Sequence, residues 1–302
     1  MAISIYPVND RFAAEIGDVD LSQPLSQEDR DAIRQAFWKY AVLVFPEQQL
    51  THDQHIGFAT LFGPLEVSIK AGRSDAGKLR IREDLADVSN LDHNNQPWGE
   101  KSRQRMFQLG NRLWHTDSSF RHVPAGASLL YGRTVAPIGG HTEFADLRAA
   151  WDALPEATRR RIQDLLVEHS IFVSRAKIGY TEFSDEERAE LPPVKQVLVR
   201  TIPESGRRSL YLASHAGHVI GLPPEESQRL LEELMAHATQ RQFVYTHRWR
   251  ANDLVMWDNR CTMHRGTEFD DLRWKRDVQR ATVSDIGNSV ETARRTAAPL
   301  AA

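Results

Sequence analysis

Two short triplets in this chain could grip a metal ion: His115-Thr116-Asp117 and His141-Thr142-Glu143. In extended backbone, residues two apart point to one side, so each triplet can offer an imidazole nitrogen and a carboxylate oxygen to a single cation. Such triplets arise easily. With 12 histidines and 41 acidic residues among 302, about 1.6 are expected by chance, so context must separate signal from coincidence. A third ligand has to come from elsewhere, and His215, His218, His237, His247 and His264 are all available. His264 has the best surroundings. It follows Asp253-Leu-Val-Met-Trp257, whose apolar run marks a buried strand, and it precedes an arginine-rich run that could neutralise an anion. Two histidines and one carboxylate on one face of a metal leave the opposite positions open for oxidant and cosubstrate. Zinc hydrolases use the same donor types. Simpler roles exist too: a strand histidine held by hydrogen bonds, a solvated face for Arg273, Lys275, Arg276 and Arg280, and an ordinary turn at Gly139-Gly140.

The elements that would position these residues can be read from pattern. Ser26-Gln-Glu-Asp29 has the form of a capping box, with Ile33, Phe37 and Tyr40 on one helical stripe behind it. Ala41-Val-Leu-Val-Phe45, stopped by Pro46, predicts a buried strand. Thr51-His-Asp-Gln54 opens a second helix with Ile56, Ala59 and Phe62 inward, ended by Gly63-Pro64. From Leu65 to Gly110 periodicity fades into polar clusters, the form taken by binding loops and lids. Strands are expected at 127–135, 242–247, 253–257 and 276–284, and helices at 155–169 and 224–237. Short strands late in the chain and helices early or inserted predict a β-sandwich or barrel decorated by helices, forming one domain over residues 1–287. Residues 288–302, poor in apolar side chains, are expected to be a disordered tail.

Composition narrows the classes. The 41 acidic residues nearly balance 38 basic ones, for a formal charge of −3, which argues against a nucleic-acid or anionic-membrane binder. A single cysteine, Cys261, excludes a disulfide framework or a Cys-rich metal site. No basic stretch leads into an apolar run at the start, and no apolar run is long enough to span a bilayer, so a cytoplasmic location is expected. No glycine-rich strand-to-helix fingerprint supports a dinucleotide or P-loop site.

Three ordered motifs carry a family resemblance: Asn111-Arg-Leu-Trp-His-Thr-Asp-Ser-Ser-Phe120, Gly139-Gly-His-Thr-Glu-Phe-Ala-Asp146 and Met256-Trp-Asp-Asn-Arg-Cys-Thr-Met-His264. Together they resemble the TauD/TfdA family of Fe(II)- and 2-oxoglutarate-dependent dioxygenases, and most of all its 2,4-dichlorophenoxyacetate branch. The resemblance implies a mainly β fold, a double-stranded β-helix (jelly-roll) core flanked by N-terminal and inserted helices. It implies His115, Asp117 and His264 as ligands of Fe(II), which leaves His141 and Glu143 as a decoy. Thr142 and Arg276 would hold the distal carboxylate of 2-oxoglutarate. The family arginine falls eleven residues after the distal histidine, where Lys275 stands here. Arg276 is preferred because a guanidinium offers a carboxylate two parallel bonds and lysine does not. Arg280 and Lys70, with Arg73 nearby, would face the substrate. The family's taurine enzymes carry a histidine shortly after the Phe-Gly-x-Leu turn; Phe62-Gly-Pro-Leu65 is followed by none before Lys70. The implied substrate is therefore a small carboxylate, an aryloxyalkanoate split into a phenol and an oxo acid with consumption of O2. Sulfonates, alkyl sulfates and other carboxylates are the alternatives, and a homo-oligomer is expected.

Overall fold

The computed structural model of the chain describes residues 3–67 and 79–297. The expected Lys70 and Arg73 lie outside the described residues.

Alternation along a few apolar strands builds the core. In Val42–Phe45, Val42 and Val44 join one apolar cluster while Leu43 and Phe45 join another. In Leu254–Asp258 the same split separates Val255 and Trp257 from Leu254 and Met256. Strands buried on both faces must be apolar at every position, which is why these segments read as unbroken runs. Among the described residues, these strands belong to a seven-stranded sheet. Its order is Ser4–Pro7, Ala14–Gly17, Val42–Phe45, Leu254–Asp258, Ala125–Thr134, Asp277–Ser284 and Ala86–Asp87. All neighbours are antiparallel except Ala14–Gly17 with Val42–Phe45.

Opposite this major sheet lies a minor one, with Thr142–Asp146 between Val244–His247 and Thr262–Gly266. Phe144 of the minor sheet meets Trp257 of the major sheet at a ring separation of 5.4 Å, filling the space between them. Burying each such aromatic contributes about 1.5–3 kcal/mol. The outer face of the major sheet is covered by helices Gln27–Tyr40 and His52–Thr60, and Ala145 and Met263 on the outer face of the minor sheet share a cluster with Leu147–Asp152 and Pro224–Ala238. This two-sheet, helix-covered arrangement is the jelly-roll expected from sequence. A further sheet sets Leu166–His169 between Ala216–Val219 and Val194–Val197.

Several local expectations hold. Ser26 caps the first helix by accepting from the Asp29 amide, and Thr51 and Gln54 form the full capping box of the second. That second helix buries His55, Phe58 and Ala59, and the expected Ile56 and Phe62, half-buried, pack against the same core. The helix expected over 155–169 ends at Ile162. Its second half is the strand Leu166–His169, because pairing on both edges and burial of Val167 outweigh local helical pattern.

The C-terminal expectation also changes. Asn288 is buried and its amide donates to the carbonyls of His122 and Lys195, while the Ser289 hydroxyl donates to Gln196 and accepts from the Val197 amide. A helix, Ser289–Ala297, follows. Polar anchoring rather than apolar content holds this segment, so a hydrophobicity reading misses it. Residues 298–302 lie outside the described residues.

Candidate active site

Strand alternation also selects which polar groups enter the sandwich. On Thr142–Asp146, Phe144 faces inward, so Thr142, two residues before it, shares that face. On Thr262–Gly266, Met263 packs outward and His264 turns inward, its ring 4.6 Å from Trp257. On Asp277–Ser284, Val278 is in the inner cluster while Ala281 and Val283 are in the outer one. Arg280 therefore lies on the inner face, with Arg276 just ahead of the strand in the same alternation.

His115 and Asp117 do not sit in a continuous strand. His115 makes a single antiparallel bridge to His264, with backbone bonds of 2.9 and 2.8 Å, and Asp117 begins a turn in which Ser118 has φ 52°. Alternation survives nonetheless. Thr116 points the other way and donates to the carbonyls of Leu212 and Thr262, at 2.8 and 3.1 Å. His115 and Asp117 are left facing His264.

The three side chains form a compact buried group, each offering a ligand atom within 4.8 Å of the others. His115 Nε2 and His264 Nε2 each stand 3.8 Å from a different Asp117 oxygen, too far for hydrogen bonds. His115 Nδ1 donates to the Leu113 carbonyl at 2.7 Å, which leaves the Nε2 lone pair directed at the group. Burial pushes His115 and His264 below the ordinary imidazole value, so both are neutral. Burial alone would raise Asp117, but the Arg280 charge and the Ser128 hydroxyl hold it below the usual carboxylate value. Two neutral imidazoles and one carboxylate, close but not bonded to each other, fit a divalent cation. Among the described residues this is the group of His, Cys, Asp and Glu placed to hold one.

Surrounding bonds fix the carboxylate. Ser128 donates to Asp117 Oδ2 at 2.7 Å, Asn259 donates to Ser128 at 2.9 Å, and the Asp117 amide donates to Asn259 at 3.2 Å. Arg280 donates to Asp117 Oδ1 and, at 3.1 Å, to Thr282. Its guanidinium thus pairs with the triad through Nη1 and Nε meets Thr282, while the residue also lines the larger cavity, where the sequence placed it against substrate. The other triplet behaves differently: Glu143 pairs outward with Arg265 at 2.7 Å, away from His141.

Two adjoining cavities meet this region. The larger, about 240 Å³, is lined by His115, Asp117 and Arg280 together with the apolar Phe107, Phe120 and Ile171. The smaller, about 80 Å³, holds Arg276 against Gly140 and Gly266. Val88, Trp98, Gln108 and Asn111 line both. Trp249 joins the two expected anchors, donating to Thr142 at 2.9 Å while the Arg276 guanidinium lies 5.9 Å from its ring. Asn90 accepts from the Arg276 amide at 2.7 Å and donates to the carbonyls of Asp271 and Trp274, fixing the backbone there. Among the described residues no carboxylate pairs with the Arg276 guanidinium, and burial lowers its pKa to about 10. Lys275 is exposed.

Residues given no place in the expected site also line the larger cavity. His215, one of the histidines available as a third ligand, is buried, bonds Ser174 at 2.8 Å and sets its ring 6.1 Å from His115. Glu66 is raised by burial although Ser118 and Arg121 bond it. Arg175 comes from the short helix Ile171–Ala176. Glu66 and Arg175 lie in segments without a distinctive pattern, and no sequence signal marked them.

Comparison with known proteins places the chain. The family model described as taurine catabolism dioxygenase TauD, TfdA family matches residues 4–282. The chain is 42% identical over 285 residues to the alpha-ketoglutarate-dependent 2,4-dichlorophenoxyacetate dioxygenase of Cupriavidus pinatubonensis, covering 94% of this chain and 99% of that one. It is 37% identical over 278 residues to the (S)-phenoxypropionate/alpha-ketoglutarate-dioxygenase of Sphingobium herbicidovorans, covering 89% and 91%. Among solved structures, AAD-2 in complex with Mn(II) and N-oxalylglycine superposes with a TM-score of 0.87 at 45% identity, covering 96% of this chain and 99% of that one.

Proposed function

We propose, from the premise that this chain belongs to the TauD/TfdA dioxygenase family, that it oxidises an aryloxyalkanoate at the carbon bearing the ether oxygen. The class follows from the family: the chain is a dioxygenase dependent on 2-oxoglutarate (alpha-ketoglutarate), an oxidoreductase. That sets aside the zinc-hydrolase alternative. The substrate reading rests on relatives named for 2,4-dichlorophenoxyacetate and phenoxypropionate, and above all on the aromatic-walled cavity that opens on His115 and Asp117.

In this reading His115, Asp117 and His264 hold Fe(II). When bound, the metal supplies O2 activation coupled to decarboxylation of 2-oxoglutarate. The Leu113 carbonyl fixes the His115 tautomer, and Ser128 and Asn259 hold Asp117 in its orientation. Arg276 would pair with the distal carboxylate of 2-oxoglutarate, helped by the Thr142 hydroxyl; Trp249 keeps both in place. The adjoining cavities suit two ligands, cosubstrate toward Arg276 and organic acid toward Phe107 and Phe120. Phe107, Phe120 and Ile171 exclude water around the reacting carbon. One oxygen atom of O2 enters the substrate and the other leaves in succinate, with CO2 lost. Hydroxylation beside an aryl ether oxygen gives a hemiacetal, which collapses to a phenol and an oxo acid.

Anaerobic addition of Fe(II) and 2-oxoglutarate should produce a visible charge-transfer band, and phenoxyacetate in air should release succinate and phenol in equal amounts. Absence of the band would overturn the metal assignment. Succinate release with alkyl sulfates or taurine but none with phenoxyalkanoates would overturn the substrate. We further propose a single catalytic domain acting in the cytoplasm as a homo-oligomer, which light scattering of the purified protein tests. Among the described residues no helix is long and apolar enough to cross a membrane.

A further inference from the structure

The larger cavity is lined, among the described residues, by four arginines: Arg80, Arg82, Arg175 and Arg280. Three already have carboxylate partners. Arg80 pairs with Asp87 and Asp277, Arg82 with Asp84 and Asp53, and Arg280 with Asp117. Arg175 has none among the described residues. Solvent does not compensate, because the residue is only 5% exposed. Its Nε lacks any hydrogen-bond partner, and its Nη1 reaches the Ser174 hydroxyl only at a long 3.4 Å. The guanidinium lies over the Phe107 ring at 4.3 Å, which steadies the plane without neutralising the charge. A cation taken from water and left without a counter-ion is costly, and native folds seldom keep one without use.

The surrounding chain makes room for it. A Cβ placed on Gly110 would come within 2.1 Å of Arg175 Nη1, so that glycine is what lets the guanidinium sit where it does. Burial lowers its pKa to about 10, which still leaves it charged at neutral pH. Next to it in sequence, Ser174 bonds His215, whose ring stands 6.1 Å from that of His115. The cation therefore looks into the same chamber as the metal-ligand group, from the side opposite the strands.

We propose that Arg175 is the counter-ion for the carboxylate of the organic substrate, fixing the acid end so that the neighbouring carbon faces His115 and Asp117. This rests on the reading of the substrate as an organic anion. The Phe107 ring under the guanidinium would at the same time meet the aryl or alkyl body of the acid.

The experiment compares wild type with Arg175→Met, Arg175→Lys and Gly110→Ala on phenoxyacetate, a 2-phenoxypropionate, an alkyl sulfate and uncharged phenoxyethanol. The readouts are succinate release and 2-oxoglutarate binding to the Fe(II)-loaded protein. Arg175→Met should raise KM for the acids about a hundredfold, as expected for loss of a buried charge-assisted pair. The 2-oxoglutarate affinity and phenoxyethanol turnover should stay near wild type. Arg175→Lys should recover part of the loss. Gly110→Ala keeps the charge but pushes the guanidinium aside, and should reproduce the acid-specific defect even if Arg175→Met folds poorly. Equal losses on phenoxyethanol and phenoxyacetate, or unchanged acid KM in both Arg175→Met and Gly110→Ala, would overturn the proposal. Wild type that turns over the alkyl sulfate alone would instead overturn the aryloxyalkanoate reading, with the Arg175 effect then read on the sulfate.

Discussion

The two sides of the active chamber are built by different means. On one side, His264, Thr142, Ser128 and Arg280 stand on paired strands, and their direction is dictated by alternation against apolar neighbours such as Phe144, Met263 and Val278. On the other side, Phe107, Arg175, His215 and the segment from Leu79 to Leu91 come from short helices, loops and the two-residue edge strand Ala86–Asp87. Those are tied down by individual ion pairs and ring contacts. The strand side serves a reaction common to a family, and a shift of one residue would turn every group the wrong way. The loop side can change a residue at a time without disturbing the sheets, which is where substrate choice can diverge.

The largest effect should come from the metal-ligand group, which meets the strand side at His264. His115→Ala, Asp117→Ala or His264→Ala should abolish Fe(II) binding and bring succinate release to background, measured by metal content and turnover. His141→Ala should leave both intact, since that side chain stands apart from the group. Metal loss in the His141 variant would break the comparison at its root.

Next in size is the cosubstrate anchor. Arg276→Ala should raise KM for 2-oxoglutarate about a hundredfold, the worth of a hydrogen-bonded charge pair in a buried site. Arg276→Lys should lie between, and Lys275→Ala should be silent because that side chain faces solvent. If Lys275→Ala carries the defect instead, the register read across this turn is wrong. Ser128→Ala removes the hydroxyl that holds Asp117 Oδ2. It should weaken metal affinity about tenfold to a hundredfold, the range for groups that orient a metal ligand, as read by competition with a chelator.

The same division explains what was legible in the sequence. The Val42–Phe45 and Leu254–Asp258 strands, the Ser26 cap, the Thr51 capping box and the inward turn of His264 all follow from local pattern, because each is repeated every second residue or fixed by a short motif. The choice of His115-Thr-Asp117 over His141-Thr-Glu143 did not. Both triplets alternate alike, and only family resemblance preferred the one that meets His264. Arg175 was invisible for a physical reason: its meaning lies in lacking a partner, and absence of a partner is a property of packing. Leu166–His169 was misread because its strand state comes from two neighbours distant in sequence. The 288–297 segment was misread because Asn288 and Ser289 hold it through hydrogen bonds that hydropathy does not register.

The smallest predicted effect is the most informative about whether the two sides are separable. Arg80 ties the loop side to the strand side, bonding Asp87 at 2.7 Å and Asp277, one residue beyond Arg276, also at 2.7 Å. Burial works against its charge, yet the two carboxylates hold its pKa above the ordinary value. Removing the cation would leave two carboxylates facing each other, so Arg80→Lys is the milder probe: it keeps the charge and loses the fork. Because lysine can satisfy only part of this geometry, KM for the organic acid should rise by about three- to tenfold as the 80–91 wall loosens. If the sides are independent, KM for 2-oxoglutarate stays put. If both constants rise together, the strain has passed through Asp277 to Arg276, and the loop that shapes the substrate chamber also helps set the cosubstrate anchor.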